Sequence, residues 1–436
     1  VRHILILVSV LSVLGSSAVS RAAVFTVSTS LDLVDTAIGD GLCRSSEGQM
    51  CSLRAAIQES NAIPGADVIV LQNLGPYQLR LQEPGVGTVD EDGSATGDLD
   101  VATAITVQAP AAASQRRIQV VFHETLGPPE DRIFHVLPAG NLTLRGVSLE
   151  DGVATSASTS RGGAILNEGI LDLADCTLDG NDALEGGAIY NDGFLAVDSC
   201  TFSSNDARDV GGGAGDGGAI FSSTFKLMIV TGSTFVGNGA DGRGGAVFSD
   251  FGSITDLENS TFSGNTGPDV LRFEDLDQFE LTHLTIHGNA GTGIVTNLAQ
   301  TTFRGIESSI VSGSSLTDCS FLGSVSPTST TSLASDGSCG FAADGGFDST
   351  DPELGLLADN GGATLTHLPA VTSLAVDHAA FSDCPLEDQR GTLRPDGDGG
   401  LGECDIGAVE LLPEPGRAAL GLAALLGTSA LARRLA

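Results

Sequence analysis

Side chains able to do chemistry gather in two places. In 88-TVDEDGSATGDLD-100, Asp90, Glu91, Asp92, Asp98 and Asp100 fall within eleven residues. Ca²⁺ takes several carboxylate and carbonyl oxygens on a flexible loop, so Asp90, Asp92, Asp98 and Asp100 are candidate calcium ligands. A solvated acidic turn is the alternative, since the loop has no glutamate where an EF-hand needs its twelfth ligand. The second concentration is 270-VLRFEDLDQF-279. There Arg272, Glu274, Asp275 and Asp277 offer the carboxylates and basic group that a polysaccharide lyase combines at one site. His283 and His287 stand four apart, on a strand and turn, so their rings need not converge. The other acids, such as Asp172, Asp192 and Asp256, are scattered, and no nucleophile triad, phosphate loop or dinucleotide fingerprint accompanies them. No cofactor is expected beyond the calcium.

Eight cysteines form four near pairs, Cys43–Cys51, Cys176–Cys200, Cys319–Cys339 and Cys384–Cys404. No zinc-type CxxC occurs, so disulfides are the expectation. Residues 1–23 support it: a short basic start, an apolar run from Ile4 to Leu14 and small residues before Ala23 read as a secretory signal peptide. For Cys176 and Cys200 two stacked, buried free thiols remain the other reading.

These residues sit on a repeat. GGAILNEGILDLADCTLDGN (162–181), GGAIYNDGFLAVDSCTFSSN (186–205), GGAIFSSTFKLMIVTGSTFVGN (217–238) and GGAVFSDFGSITDLENSTFSGN (244–265) align, and FELTHLTIHGN (279–289) closes the series. Leu178, Phe202, Phe235, Phe262 and Ile286 share one position, at spacings of 24, 33, 27 and 24. The nine extra residues before Phe235 match the glycine run 211-GGGAGDGG-218, a bulging loop.

One such unit cannot bury an apolar face alone, so it must stack on its neighbours. Alternating Val, Ile, Phe and Thr broken by Gly and Asn-Asp means short strands, and the glycines would stop a helix. The fold class is therefore all-β: a single-stranded right-handed parallel β-helix with an N-terminal capping helix and an irregular C-terminal cap. Equivalent side chains should stack about 4.8 Å apart, with Leu173, Val197, Val230, Leu257 and Leu281 in one inward column and the Phe series in another. Asn181, Asn205, Asn238, Asn265 and Asn289 should form a ladder at a turn.

In chain order, the signal peptide (1–23) precedes an N-terminal cap (24–65) whose helix, 51-CSLRAAIQESNA-62, starts at the N-cap Ser52 and stops before Pro64-Gly65. It is the expected lid on the open end of the solenoid. Coils fill 66–313, a Ser/Thr/Gly-rich region spans 314–345, and 346–412 form the C-terminal cap. There Asp388, Arg390, Arg394, Asp405 and Glu410 read as a salt-bridged end plug. A tail, 413–436, carries Pro-Glu-Pro, an apolar run and Arg433-Arg434. With 20 basic against 55 acidic residues and a net charge of −35, the chain lacks the basic face that nucleic acid requires.

Cys51-Ser52-Leu53-Arg54-Ala55-Ala56-Ile57 resembles the motif of the CSLREA family of secreted bacterial β-helix proteins, with Ala55 in place of the family's Glu. The phrases 97-GDLDV-101 and 131-DRIFHV-136 are similar to others in that family. The segment from 359-DNGGATLTH-367 through 388-DQRG-391 to 404-CDIGAVE-410 resembles the choice-of-anchor Q domain. The GGAI and FxxN pairs are similar to repeats of chlamydial polymorphic membrane proteins, which are surface adhesins, and the tail looks like a PEP-CTERM sorting signal, with a plain membrane anchor as the alternative. Together the resemblances cover roughly residues 24–412 plus the tail. They imply secretion, surface display through exosortase-like sorting machinery, and a structural or adhesive role toward extracellular glycans or cell-surface components. A carbohydrate-active enzyme of the polysaccharide lyase type is the alternative.

Overall fold

The computed structural model describes residues 22–72, 75–80, 92–110, 116–120, 131–155, 160–208, 214–276, 278–298, 304–323, 326–380, 382, 384–395 and 403–412. The signal peptide except its last two residues, the sorting-like tail, Asp90, Glu91 and Asp277 lie outside them.

Among the described residues the strands form three parallel sheets of eleven, ten and thirteen strands. Each coil contributes in turn to all three, which makes the molecule a parallel β-helix. In the repeat region the first sheet takes Ile170–Ala174, Phe194–Asp198, Leu227–Thr231, Ile254–Glu258 and Gln278–Thr282. The second takes Thr177–Asp179, Thr201–Ser203, Thr234–Val236, Thr261–Ser263 and Thr285–His287. The third takes Ile165–Asn167, Ile189–Asn191, Ile220–Ser222, Val247–Ser249 and the longer Thr266–Glu274.

The expected columns are present. Leu173, Val197, Val230, Leu257 and Leu281 follow one another in register and are buried. Phe202, Phe235 and Phe262 stack with ring centroids 4.6 Å apart and planes nearly parallel. The asparagine ladder is complete: each amide nitrogen from Asn181 to Asn265 donates to the next Oδ1 at 2.9–3.0 Å. Each backbone N–H of the same four residues donates to that oxygen too.

First and second sheets meet at a one-residue corner with left-handed backbone, occupied by Asp175, Ser199, Gly232, Asn259, His283 and Ser308. The next residue forms another ladder in most of these coils, interrupted at Leu284. Ser233 Oγ donates to the carbonyl two residues back at 2.8 Å and accepts the N–H of Cys200 at 3.0 Å. Ser260 and Ser309 repeat this donation.

Cys176 and Cys200 occupy two rungs of that ladder, and this corrects the fourth expected disulfide. Both are buried free thiols. Cys200 Sγ accepts the N–H of Cys176 at 3.3 Å and lies 3.2 Å from the Asp198 carbonyl. Cys200 Sγ thus takes the place that Ser233 Oγ takes one coil on, and the two thiols adjoin without a bond between their sulfurs. Burial and the adjoining thiol push the Cys200 thiol well up. The other three pairs are bridged: Cys43–Cys51, Cys319–Cys339 and Cys384–Cys404.

The helix Leu53–Ala62 lids the first coils, with Ser52 Oγ accepting the Ala55 N–H at 3.0 Å. Leu53, Ala56 and Ile57 join the core. Arg54, fully buried, pairs with Asp32 and donates to the carbonyls of Ser94, Thr96, Gly97 and Asp98. At the far end Phe341, in a short 3-10 turn, closes the core.

The described residues between 350 and 410 lie further back along the flank than an end plug would. Thr364 Oγ1 donates to the Gly232 carbonyl, Gln389 reaches Thr234 and Thr261, and Ala408 N–H reaches Thr285 Oγ1. In later coils the same outward position is Ile310 and Leu333, which pack with Ala375, Ala379, Cys404 and Ile406. The segment seals the second sheet from the side, and four of the five residues of its charged set are ion-paired there. Arg390 meets Asp388 at 2.8 Å, and fully buried Arg394 meets Glu410 at 3.1 Å.

Candidate functional site

Strand alternation gives the third sheet an outer face, and register places Asp100, His135, Leu166, Tyr190, Phe221, Phe248, Arg272 and Val295 in one column along it. Their neighbours Ile165, Ile189, Ile220, Val247 and Leu271 face the core. Asp100 from the first sequence-predicted concentration of charge and Arg272 from the second lie on this one face.

Its middle is aromatic. Tyr190, Phe221 and Phe248 form a cluster separate from the main core, with centroids 5.0 and 4.9 Å apart. Arg161 lies 4.5 Å over the Tyr190 ring and Arg243 4.4 Å over Phe248. Burial pushes the Tyr190 hydroxyl up to about 12, so it is a neutral phenol at any ordinary pH.

Arg272 continues the column. Its Nε donates to Glu274 at 2.7 Å and its Nη1 lies 3.5 Å from Asp269. Arg243 joins the group, 2.6 Å from Asp216 and 3.5 Å from Glu274. Two guanidinium groups are therefore shared among three carboxylates, so every guanidinium is paired and one negative charge is left over. Burial raises the Asp269 pKa, partly offset by the Gly244 N–H and by Arg272. Asp275 is apart from this group at a left-handed corner, its carbonyl accepting the Gly252 N–H. Of the predicted catalytic set, the structure brings together only Arg272 and Glu274, and Asp277 is outside the described residues.

Of the predicted calcium ligands, Asp92, Asp98 and Asp100 are among the described residues and Asp90 is not. Asp98 is turned to Arg132 at 3.2 Å, both buried. Asp100 accepts the Ser94 N–H at 2.7 Å and lies 3.5 Å from His135 Nδ1. Donor atoms of Asp92, Asp100 and His135 come within 4.8 Å of one another, and Glu168 meets the other ring nitrogen at 3.2 Å. His135 was missing from the sequence-level set because only strand pairing of 131-DRIFHV-136 onto 97-GDLDV-101 places it over Asp100. His283 and His287 are separate: His283 is buried near Cys404, and His287 faces Ser312 and His367.

One exposed feature completes the face. The turns from third to first sheet in two adjacent coils are longer: Ser222 to Leu227 and Ser249 to Ile254 each span five positions, where Asn191 to Phe194 spans three. The added residues bring Phe225 and Phe251 to the surface, 66% and 45% exposed, in an edge-to-face pair 5.3 Å apart. Phe225 has φ +61°, a conformation costly for a bulky residue. Its ring lies over Gly252, where a Cβ would come within 2.3 Å of it. Beside the pair, Lys226 meets Asp192 at 3.1 Å and Thr224 Oγ1 donates to Asp250 at 3.4 Å.

No protein-family model matches this chain, and no curated protein matches it. Coil stacking alone defines its class, a disulfide-containing parallel β-helix with a laterally applied C-terminal segment.

Proposed function

We propose that this chain is an exported, surface-displayed β-helix with a structural or adhesive role, and that the Phe225–Phe251 turn holds neutral extracellular glycans. The exposed aromatic pair carries the proposal. Two large apolar rings left largely exposed, one on a left-handed residue, carry a stability cost that packing on each other and over Gly252 offsets only in part. Sugar C–H faces stack on such rings while hydroxyls bond to flanking carboxylates, here Asp192 and Asp250. The net charge of −35 disfavours polyanionic glycans and favours neutral ones.

Export is supported by the three disulfides, which mark an oxidising compartment, and by the apolar leader. Among the described residues no helix is long and apolar enough to cross a membrane. The PEP-CTERM resemblance assigns surface retention to the sorting-like tail and an exosortase-like enzyme.

The test is a glycan array probed with the exported chain. Retention on neutral glycans that Phe225→Ala/Phe251→Ala abolishes supports the reading; retention that this variant keeps, or none on glycans and host cells, overturns it. A lyase reading draws on the Arg243, Arg272, Asp216, Asp269 and Glu274 group. A polysaccharide screen that follows unsaturated products at 235 nm would decide it.

A further inference from the structure

We propose that Asp92, Asp100 and His135 form a binding site for a divalent transition cation of the zinc class. The site is independent of the glycan-binding turn.

Donor type comes first. An imidazole nitrogen beside two carboxylates suits Zn²⁺, Mn²⁺ or Co²⁺, whereas Ca²⁺ takes oxygen alone. The switch from the calcium expected of the loop to a transition cation follows from two observed placements, Asp98 turned away to Arg132 and His135 turned in.

Geometry agrees. Two ligands of a tetrahedral ion with bonds of about 2.0–2.1 Å stand roughly 3.4 Å apart. His135 Nδ1 and Asp100 Oδ1 are separated by 3.5 Å. The three donors all lie within 4.8 Å of one another, so small side-chain movements close the set around an ion.

The surroundings fit as well. Metal-bound histidine usually donates its other N–H to a carboxylate, which fixes ring and tautomer, and Glu168 stands 3.2 Å from His135 Nε2 on the neighbouring coil. Asp100 is buried and held by the Ser94 N–H, and the loop before it is pinned through its carbonyls by Arg54 and Gln58. Asp92 is exposed, which leaves an open side for entry and for a water as fourth ligand.

Metal-stripped full-length exported chain should be titrated calorimetrically with ZnCl₂, MnCl₂ and CaCl₂. The expected result is one saturable Zn²⁺ or Mn²⁺ site per chain that excess Ca²⁺ does not displace, with melting temperature raised by the bound ion. Affinity should fall at least 100-fold in His135→Ala and in Asp100→Asn. In Glu168→Gln it should fall about 10- to 100-fold with stoichiometry kept. In case a variant misfolds, Co²⁺-loaded wild type should show paramagnetic shifts on the His135 ring. No saturable binding at 1 mM, affinity unchanged in folded His135→Ala, or an unshifted His135 ring would overturn the proposal.

Discussion

Gln389 Oε1 accepts a hydrogen bond of 2.6 Å from Thr261 Oγ1, although the two residues are 128 positions apart. The same amide donates to Thr234 Oγ1 at 2.9 Å, so one side chain spans two coils. The threonine of the Thr-Phe repeat thus points outward and receives the C-terminal segment while its neighbour fills the core. Replacing Gln389 with Leu takes the acceptor from the buried Thr261 hydroxyl and one donor from Thr234 Oγ1, which keeps its bond to the Leu365 carbonyl, at about 1–3 kcal/mol. Limited proteolysis should then cut between 350 and 412 first, with the coils intact; equal resistance to wild type would count against the lateral seal.

The phenylalanine column sets a second expectation. Phe235 is sandwiched between Phe202 and Phe262 and fully buried. Phe235→Ala should cost about 3–5 kcal/mol in chemical denaturation. Phe235→Leu should cost much less, because Leu178 and Ile286 hold the same position at either end of the column.

These two elements show how far sequence reading reaches. Columns, ladder and capping helix were legible because each depends on matching letters at matching offsets, which stacking turns into contacts. What escaped depends on pairing between unlike segments. The nine additional residues before Phe235 are a case: only part lies in the glycine run, since Asn205 to Ile220 spans 15 positions against eight from Asn181 to Ile189. The remaining two lengthen the turn that exposes Phe225. His135 over Asp100 escaped for the same reason, because loose early spacing hides which strand lies on which.

The cysteine rungs give a sharp contrast between two small substitutions. Cys200→Ser should be nearly neutral, since Ser233 and Ser260 already fill that rung. Cys200→Ala removes the acceptor of the buried Cys176 N–H and should cost about 1–3 kcal/mol. Thiol labelling should find both cysteines only after unfolding, and labelling of neither in denaturant would restore the bridge.

Asp405 supplies a pH dependence. Burial and the Glu410 charge raise its pKa to about 7 in the folded state, from 3.8. Between these values the folded chain holds the extra proton, so stability from this group falls as pH rises. Relative to Asp405→Asn, wild type should gain on the order of 2 kcal/mol between pH 8 and pH 5. A difference independent of pH would show that Asp405 is charged throughout.

Attachment tests the functional account most directly. Cells displaying the full chain should adhere to surfaces coated with the neutral glycan selected on the array, and cells displaying Phe225→Ala/Phe251→Ala should not, at equal display and equal melting temperature. Undiminished adhesion by that variant would contradict the account.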